Sequence, residues 1–418
     1  MSATANTSLN KNSLATAPVF SLPMGLQGSS TGLAFAAVLL ILVGFVAMSS
    51  ASIEFAAHKY NDPFFHMVRY GFHLSIAIIA GLVVYRVPMS FWQKASPYLL
   101  LAGVILLLLV LIPGIGREVN GSRRWIGLGP LTIQCSEVAK VCVIFYLAGY
   151  LVRRQTEVRE RWTGFVKPMA VLFAITLLLM LEPDFGATVV TLGSAFGMIF
   201  LAGVKLWQFL LVILSSLMAL VLLVVTSPYR FQRWLAFTDP WADEFKFGGG
   251  YQLTQSLIAF GRGEWFGVGL GNSIQKLFYL PEAHTDFVFA IFAEEFGAVG
   301  SILLIGLFVA LVLQILMIGR RAEHSQQPFS GYVAYGIALM ISGQVFINIG
   351  VNTGLLPTKG LTLPFLSYGG SSLIVCCAAL AIIFRINKEL MTPAKNNSAK
   401  KTSKNNQPIS RLPEALDG

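Results

Sequence analysis

Charged residues are scarce in this chain. Asp, Glu, Lys and Arg together make up 12% of its 418 residues, and hydrophobic residues make up 55%. A soluble domain usually contains about 25% charged and about 45–50% apolar residues. The mean hydropathy of +0.69 points the same way. The composition therefore excludes an ordinary soluble enzyme and indicates a polytopic membrane protein.

Cysteine is also rare. The chain has four cysteines, and all of them fall within apolar runs: Cys135, Cys142, Cys376 and Cys377. A disulfide framework is not indicated, because such frameworks link cysteines in exposed loops. We expect these side chains to pack as small hydrophobic groups.

The first thirty residues lack the features of a secretory signal. They contain a single lysine, Lys11, and neither a charged n-region nor a cleavage site. We therefore expect the first apolar run to be retained as a membrane span. The net charge of +10 comes without a nucleic-acid-binding motif. The basic C-terminal tail is typical of a segment at a membrane surface.

Long apolar runs dominate what is present. A helix needs about 20 apolar residues to cross a bilayer. The pattern predicts an all-α polytopic membrane protein of about ten transmembrane helices, with a large extracytoplasmic loop, residues 227–285, between helices 7 and 8. The ten runs lie near residues 32–50, 68–86, 96–114, 134–152, 167–181, 186–204, 206–226, 286–319, 331–352 and 362–385.

The distribution of Lys and Arg sets the expected orientation. The short loops carry more of these residues on the side that is cytoplasmic when the N-terminus is inside. We therefore expect both termini in the cytoplasm, with a membrane domain at 31–388 between disordered tails at 1–30 and 389–418. The eighth run has 34 residues, too many for a straight span, so we expect it to project above the membrane or to bend, with Gly297 and Gly300 as candidate bend points.

Titratable residues cluster where the long loop ends and the eighth span begins. Carboxylates at the edge of an apolar helix are unfavourable unless they are paired or used, which makes them candidates for a functional site. For Asp286 a structural role is equally open, because Thr285 can cap the helix and the helix dipole stabilises an acid in the first turn. The cluster comprises Glu282, His284, Asp286, Glu294 and Glu295.

Two further polar positions allow both a structural and a functional interpretation. Glu137 and Lys140 lie three residues apart on one face of the fourth span. They either pair inside the bundle or place Lys140 on the wall of a cavity that binds an anion. Asp184 lies in the turn between the fifth and sixth spans, where it either caps the sixth helix or faces the same cavity.

Several cations on the predicted outer face suggest an anionic ligand. Arg124 opposes the positive-inside bias, and the donor geometry of arginine suits a diphosphate. The glycine-rich part of the long loop adds Arg262 and Lys276, and the irregular connection before the last span adds Lys359. We expect these groups to surround a cavity that is open to the outside and accepts an anionic amphiphile.

The motifs, in this order, resemble the SEDS family (shape, elongation, division and sporulation). The resemblance covers roughly residues 30–388, and residues 269–286 and 356–364 favour the division branch of the family over the elongation branch. Cys135 and Ala187 stand where the family usually has Pro and Gly. The matching segments are Arg124-Trp125-Ile126, Gln134-x-Ser136-Glu137, Pro183-Asp184-Phe185-Gly186 and residues 251–297 and 354–372.

The resemblance implies a septal peptidoglycan glycosyltransferase that polymerises lipid II at the outer face of the bacterial inner membrane. It implies undecaprenyl-linked glycan as a further ligand, and a class B penicillin-binding transpeptidase and other division proteins as partners. Asp286 matches the family's essential aspartate. No cofactor is implied with certainty. A divalent cation on the substrate diphosphate is chemically reasonable, but the sequence shows no dedicated ligand set.

The expected chemistry is an inverting transfer with Asp286 as general base. A lipid II flippase and a non-catalytic division scaffold are the alternatives, and confinement of the carboxylates to one membrane face argues against the flippase. The expected substrate-binding residues are Arg124, Lys140, Glu137, Arg262, Lys276, Glu282, His284, Lys359, Asp184 and Glu294.

Overall fold

The structure is a computed structural model that describes residues 30–392, except Asn120, Pro130 and Lys359. Most of both predicted tails lies outside the described residues. Within them the chain forms one small sheet, a π-helical turn (Gln275–Tyr279) and thirteen α-helices. The α-helices are α1 (Ser30–Tyr60), α2 (Phe65–Arg86), α3 (Met89–Leu111), α4 (Cys135–Arg153), α5 (Gln155–Glu160), α6 (Trp162–Leu181), α7 (Phe185–Leu201), α8 (Leu206–Val225), α9 (Pro228–Thr238), α10 (Tyr251–Gly263), α11 (Val288–His324), α12 (Pro328–Asn352) and α13 (Gly370–Met391).

The apolar helices form a membrane bundle. Eight of the described helices are long and apolar enough to cross a bilayer, and α7 and α8 add two shorter apolar stretches. These ten elements coincide with the ten predicted spans, so the predicted fold class is confirmed. The apolar stretch of α4 is 78% buried, whereas those of α2 and α3 are 22% buried. Helix α4 therefore lies at the centre of the bundle, and α2 and α3 lie at its edge.

A three-stranded antiparallel sheet precedes α4, where the sequence suggested only a loop. Its strands, in the order β1-β2-β3, are β1 (Gly116–Val119), β2 (Ser122–Leu128) and β3 (Leu131–Gln134). Gly121 and Gly129 have φ of +74° and +63°, which lets each strand turn tightly into the next. Trp125 pairs with Gln134, and β3 leads directly into the central helix.

Helix α11 bends at Gly297, as predicted, where φ is +69° and ψ is −168°, while Gly300 stays helical. A segment of the long loop, residues 264–269, fills the break. The amides of Val268 and Gly269 donate to the carbonyl groups of residues 294 and 295, and residues 264 and 265 accept from the amides of residues 298 and 299. The loop segment therefore satisfies the amide and carbonyl groups that the break in the helix would leave without hydrogen bonds. A lipid environment requires such pairing.

The last span begins later than predicted. Helix α13 starts at Gly370 rather than near residue 362, and the preceding segment is irregular. Its apolar side chains are nevertheless buried, with Leu363 and Leu366 at most 1% exposed. The carbonyl oxygen of Phe365 accepts a hydrogen bond from the Tyr70 hydroxyl at 2.6 Å. Hydropathy placed a span here because these residues are apolar, but they pack as irregular chain between helices.

Candidate active site

A polar cavity of about 500 Å³ opens at the end of the bundle that carries the sheet. Four parts of the chain that are distant in sequence form its wall: the sheet, the long loop, the irregular segment and the first turn of α13. The side chains that matter below are Arg124, Gln134, Glu282, Thr285, Asp286, Tyr368, Ser371 and Ser372.

Asp286 is half-buried in the cavity wall, just before α11. The helix begins at Val288, with no acid in its first turn and no side-chain cap at Phe287. The Thr285 hydroxyl donates instead to the Glu282 carboxylate at 2.7 Å. The expectation that Thr285 caps this helix was therefore wrong, and Asp286 does not occupy a helical first turn that would explain its presence.

The environment of Asp286 favours its protonated form. The pKa of this carboxyl is raised to about 7, chiefly by burial and also by the neighbouring Glu282 carboxylate, while the Arg124 guanidinium acts in the opposite direction. Glu282 has a φ of +57°, unusual for a residue with a side chain. The carboxyl of Asp286 can therefore gain and lose a proton near neutral pH.

Arg124 lies on β2 and brings positive charge to the cavity. Its Nε donates to the Glu182 carbonyl oxygen at 3.2 Å, and its Nη2 donates to the Pro183 carbonyl oxygen at 2.6 Å. Its Nη1 lies 3.8 Å from the Asp184 carboxylate. These contacts fix the guanidinium with 18% of the side chain exposed. The turn after α6 thus holds a cation in place at the cavity.

Asp184 is 1% exposed and has a structural role. Its carboxylate accepts from the Ala187 amide at 3.2 Å, which caps α7 as the capping interpretation predicts. It also accepts from the Ser136 hydroxyl at 2.7 Å and from the side-chain Nε2 of Gln134 at 3.1 Å. Asp184 does not line the cavity but supports Arg124 and Gln134, which do.

Glu182 is fully buried beside this turn. Within the described part of the chain, its carboxylate oxygens have no hydrogen-bond partner. Burial raises its pKa to about 8, Asp184 adds to the effect and Arg124 opposes it. The protonated form of this carboxyl is therefore favoured at pH 7, and Asp184 is the carboxylate that pairs with Arg124.

Apart from Arg124 and Glu282, the predicted binding residues that the structure describes lie outside the cavity lining. Lys140 pairs with Glu137 at 2.8 Å, with the two side chains 1% and 4% exposed. His284 is buried between the rings of Phe55, His66 and Tyr368, and burial lowers its pKa to about 4, so the ring is neutral at pH 7. Lys359 lies outside the described residues.

Two ion pairs fasten the long loop to α11. Arg262 lies 3.4 Å from Glu294, which also accepts from the Ser273 hydroxyl and from the amides of residues 274 and 275. Lys276 lies 3.0 Å from Glu295. Both glutamates are at most 2% exposed. Arg262, Lys276 and Glu294 thus have partners in the folded chain, away from the cavity.

Sequence reasoning missed several residues at or behind the cavity. Arg233 of α9 and Gln252 of α10 line it. The amphipathic pattern of the loop helices was the available signal for both. Asn348 and Asn352 lie behind Asp286 on α12, and two carboxamides one turn apart in an apolar span were the signal there. The described residues contain no group of three or more His, Cys, Asp or Glu that could hold a metal ion.

Comparison with known proteins identifies close relatives. The chain is 53% identical over 373 residues to a probable peptidoglycan glycosyltransferase FtsW from Saccharophagus degradans, covering 89% of this chain and 96% of that protein. It is 55% identical over 353 residues to the probable peptidoglycan glycosyltransferase FtsW of Pseudomonas fluorescens, covering 84% and 86%.

Solved structures share the fold. A chain from a peptidoglycan synthase complex that coordinates polymerization and crosslinking aligns with a TM-score of 0.71 and 29% identity, over 87% of this chain and 98% of that one. The rod shape determining protein RodA of Thermus thermophilus aligns with a TM-score of 0.64 and 28% identity, over 86% and 97%. The family model that groups FtsW, RodA and SpoVE, described as cell cycle protein, matches residues 31–392, and the chain belongs to this family.

Proposed function

We propose that the protein is a peptidoglycan glycosyltransferase that polymerises lipid II into β-1,4-linked glycan strands, with the polar cavity as its active site. The observation that carries this proposal is that a carboxyl group and a guanidinium group line the same cavity. Asp286 has a pKa of about 7, and Arg124 supplies a fixed positive charge. A base near neutrality and a cation for a leaving group are what glycosyl transfer from a diphosphate requires.

Asp286 acts as the general base. Its carboxylate takes the proton from the 4-hydroxyl of the acceptor sugar as that oxygen attacks C1 of the donor sugar. The bond between C1 and the diphosphate oxygen breaks, and the electron pair leaves with the lipid diphosphate. Attack from the face opposite the leaving group inverts C1 and gives the β linkage. A positioned base typically contributes about 10²–10⁴-fold to the rate.

Arg124 stabilises the charge that develops on the leaving diphosphate. Its guanidinium is held by backbone carbonyl groups, so it does not reorganise during the reaction. The first turn of α13 forms part of the same wall and carries Ser371 and Ser372, with no acid and no side-chain cap. The amides at a helix N-terminus favour an anion, which adds to the effect of Arg124.

The remaining charged candidates maintain the architecture of the site. Lys140, Lys276 and Arg262 each face a buried carboxylate, and their role is to hold helices and loop together. Glu282 acts on Asp286 by raising its pKa. The ligand therefore contacts Arg124 and Asp286, while the ion pairs hold the helices and the loop that form the cavity in place.

The names of the relatives support a proposal for the cellular setting. Two of them are named probable peptidoglycan glycosyltransferase FtsW, and a related fold occurs in a peptidoglycan synthase complex. We place this multi-pass protein in the inner membrane at the division septum, with both termini cytoplasmic and the cavity facing outward. Its partners are a class B penicillin-binding transpeptidase and other division proteins, and its ligands are lipid II and undecaprenyl-linked glycan.

The test is polymerisation of labelled lipid II by the purified protein in complex with its transpeptidase. Asp286→Asn removes the base with little change in shape, so polymer formation falls by at least about 100-fold. The matched control is Asp243→Asn, which alters a 94% exposed carboxylate in the same loop and leaves activity unchanged. Equal polymer from wild type and Asp286→Asn would remove Asp286 as the base.

A further inference from the structure

Two buried asparagines stand behind the cavity and outside its lining. Asn348 and Asn352 lie one turn apart on α12 and are 2% and 0% exposed. A carboxamide in an apolar interior is unfavourable unless its donors and acceptor are used. The hydrogen bonds that these two side chains make therefore indicate their role.

Both side chains donate to the backbone of Asp286. The Asp286 carbonyl oxygen accepts from Nδ2 of Asn348 at 2.9 Å and from Nδ2 of Asn352 at 3.0 Å. A carbonyl oxygen has two lone pairs, so these two bonds fill it. Asp286 precedes α11, so its carbonyl oxygen is held by side chains of α12. Within α11, the hydrogen bonds of the helix itself hold the backbone.

Asn348 also binds a second backbone segment, which lies next to Asp286. Its Nδ2 donates to the Leu361 carbonyl oxygen at 2.6 Å. Leu361 follows Gly360, where an added Cβ would lie 3.2 Å from Oδ2 of Asp286. One carboxamide thus joins the two backbone segments that meet at the reactive carboxylate.

Asn352 fixes the start of α11. Its Oδ1 accepts from the Ala290 amide at 3.1 Å, in the first turn of a helix without a side-chain cap of its own. Its Nδ2 donates to the Asn348 carbonyl oxygen at 2.8 Å, and its own carbonyl oxygen accepts from the Ser256 hydroxyl at 2.7 Å. Asn352 therefore caps α11 from a neighbouring helix and links that cap to α10.

We propose that Asn348 and Asn352 are positioning residues for the Asp286 carboxylate. They hold the backbone of Asp286 against α12 and the Gly360 wall, so that the carboxylate meets the acceptor hydroxyl in a reactive geometry. The inference rests on the proposed role of Asp286 as the base. Displacement of a reacting group by about 1 Å can lower the rate about 100-fold.

Asn348→Ala tests this inference against a control from the same helix. Gln344→Ala, one turn earlier, removes a fully buried carboxamide that has no hydrogen-bond partner among the described residues. Both variants are assayed in complex with the transpeptidase at about pH 9, where Asp286 is deprotonated. We expect kcat per folded Asn348→Ala molecule to fall about 10–100-fold with KM nearly unchanged, and Gln344→Ala to match wild type.

A second variant keeps the inference testable if Asn348→Ala does not fold. Asn352→Ala removes the donor to Asp286 without placing a charge in the apolar interior, and the Ala290 amide keeps its bond to the Phe287 carbonyl oxygen, so we expect a folded protein with a lower kcat. Combining Asn348→Ala with Asp286→Asn should add no further loss, because the asparagine acts through Asp286.

Three results would overturn the inference. They are a wild-type kcat in folded Asn348→Ala and Asn352→Ala, an equal loss in Gln344→Ala, and additive losses in the double variant. Full activity of Asp286→Asn alone is a different outcome, because it removes the proposed base itself. A collapse in Asp286→Asn with wild-type kcat in both asparagine variants leaves the proposed function intact and removes only the positioning role.

Discussion

At the residue scale, Asp286 differs from the other acids near the bend of α11 in what surrounds it. Glu294 and Glu295 each face a cation, at 3.4 and 3.0 Å, and serve to fasten the long loop. Asp286 has no ion-pair partner within 4 Å among the described residues, and burial together with the Glu282 carboxylate raises its pKa to about 7. It is the acid in this region whose proton can move in the physiological pH range.

The proposed base makes activity depend on pH with a defined sign. Asp286 must be deprotonated to accept a proton, so kcat/KM should rise with pH, reach half its maximum near pH 7 and level off above it. Two units below the midpoint, the rate should be about 100-fold lower than the plateau. Initial rates of lipid II polymerisation between about pH 5 and pH 9 measure the curve.

Glu282→Gln tests whether the pKa of Asp286 sets this midpoint. It removes a negative charge that raises the Asp286 pKa, so the midpoint should move to lower pH. Glu118→Gln changes a carboxylate that is 54% exposed on β1 and does not line the cavity, and it should leave the midpoint in place. If the pH midpoint of kcat/KM were the same in Glu282→Gln as in wild type, the titration would belong to a group other than Asp286.

Arg124 is predicted to require its planar shape as well as its charge. Three of its nitrogens are directed at separate acceptors, and a lysine ammonium cannot reproduce that arrangement. Arg124→Lys should lower kcat by about 100-fold, similar to the loss of one stabilising donor. Single-turnover rates measure this, and a lysine variant with full activity would show that charge alone suffices.

At the element scale, hydropathy predicts the spans well because the lipid-facing residues must be apolar. The same measure fails at residues 362–369, whose apolar side chains are buried in protein as irregular chain. The small sheet was missed because its strands are short and the second and third residues of β2 are arginines. The bend at Gly297 was predictable, since a run of 34 residues exceeds the bilayer and glycine tolerates the needed conformation.

The break in α11 should tolerate no side chain at Gly297. Its φ and ψ lie in a region essentially restricted to glycine, and a Cβ would overlap the backbone amide of Gly267. Gly297→Ala should lower the free energy of unfolding by about 2–4 kcal/mol, from backbone strain and overpacking together. Gly306→Ala, in the same helix with nothing within 4 Å, should be neutral or stabilising. Thermal unfolding in detergent compares the two, and equal midpoints would contradict the described break.

The ion pair inside α4 is predicted to be structural. Lys140→Met leaves the Glu137 carboxylate buried without its cation, which should lower the free energy of unfolding by about 3–5 kcal/mol. The double variant Glu137→Gln with Lys140→Met should recover most of that loss, because no unpaired charge remains. Thermal midpoints of the three proteins measure this. A Lys140→Met protein of normal stability without activity would return Lys140 to the substrate site.

At the scale of the whole molecule, the cavity exists only because the bundle brings distant segments together. Sequence reasoning singled out Arg124 because it opposes the positive-inside bias, and the family resemblance favoured Asp286; both residues line the cavity. It could not show that Lys276 and Arg262 have partners of their own, because those partners lie 19 and 32 positions away on α11. Charge near a membrane face indicates a site, and tertiary packing decides which charges meet the ligand.

The most direct measurement is made in liposomes that contain the protein with its transpeptidase and labelled lipid II. Glycan polymer and transbilayer movement of lipid II are recorded in the same sample, for wild type and Asp286→Asn. We expect polymer from wild type, at least about 100-fold less from Asp286→Asn, and equal, slow lipid movement in both. Lipid II that crosses the membrane with wild type while neither protein forms polymer would contradict the account and identify a flippase.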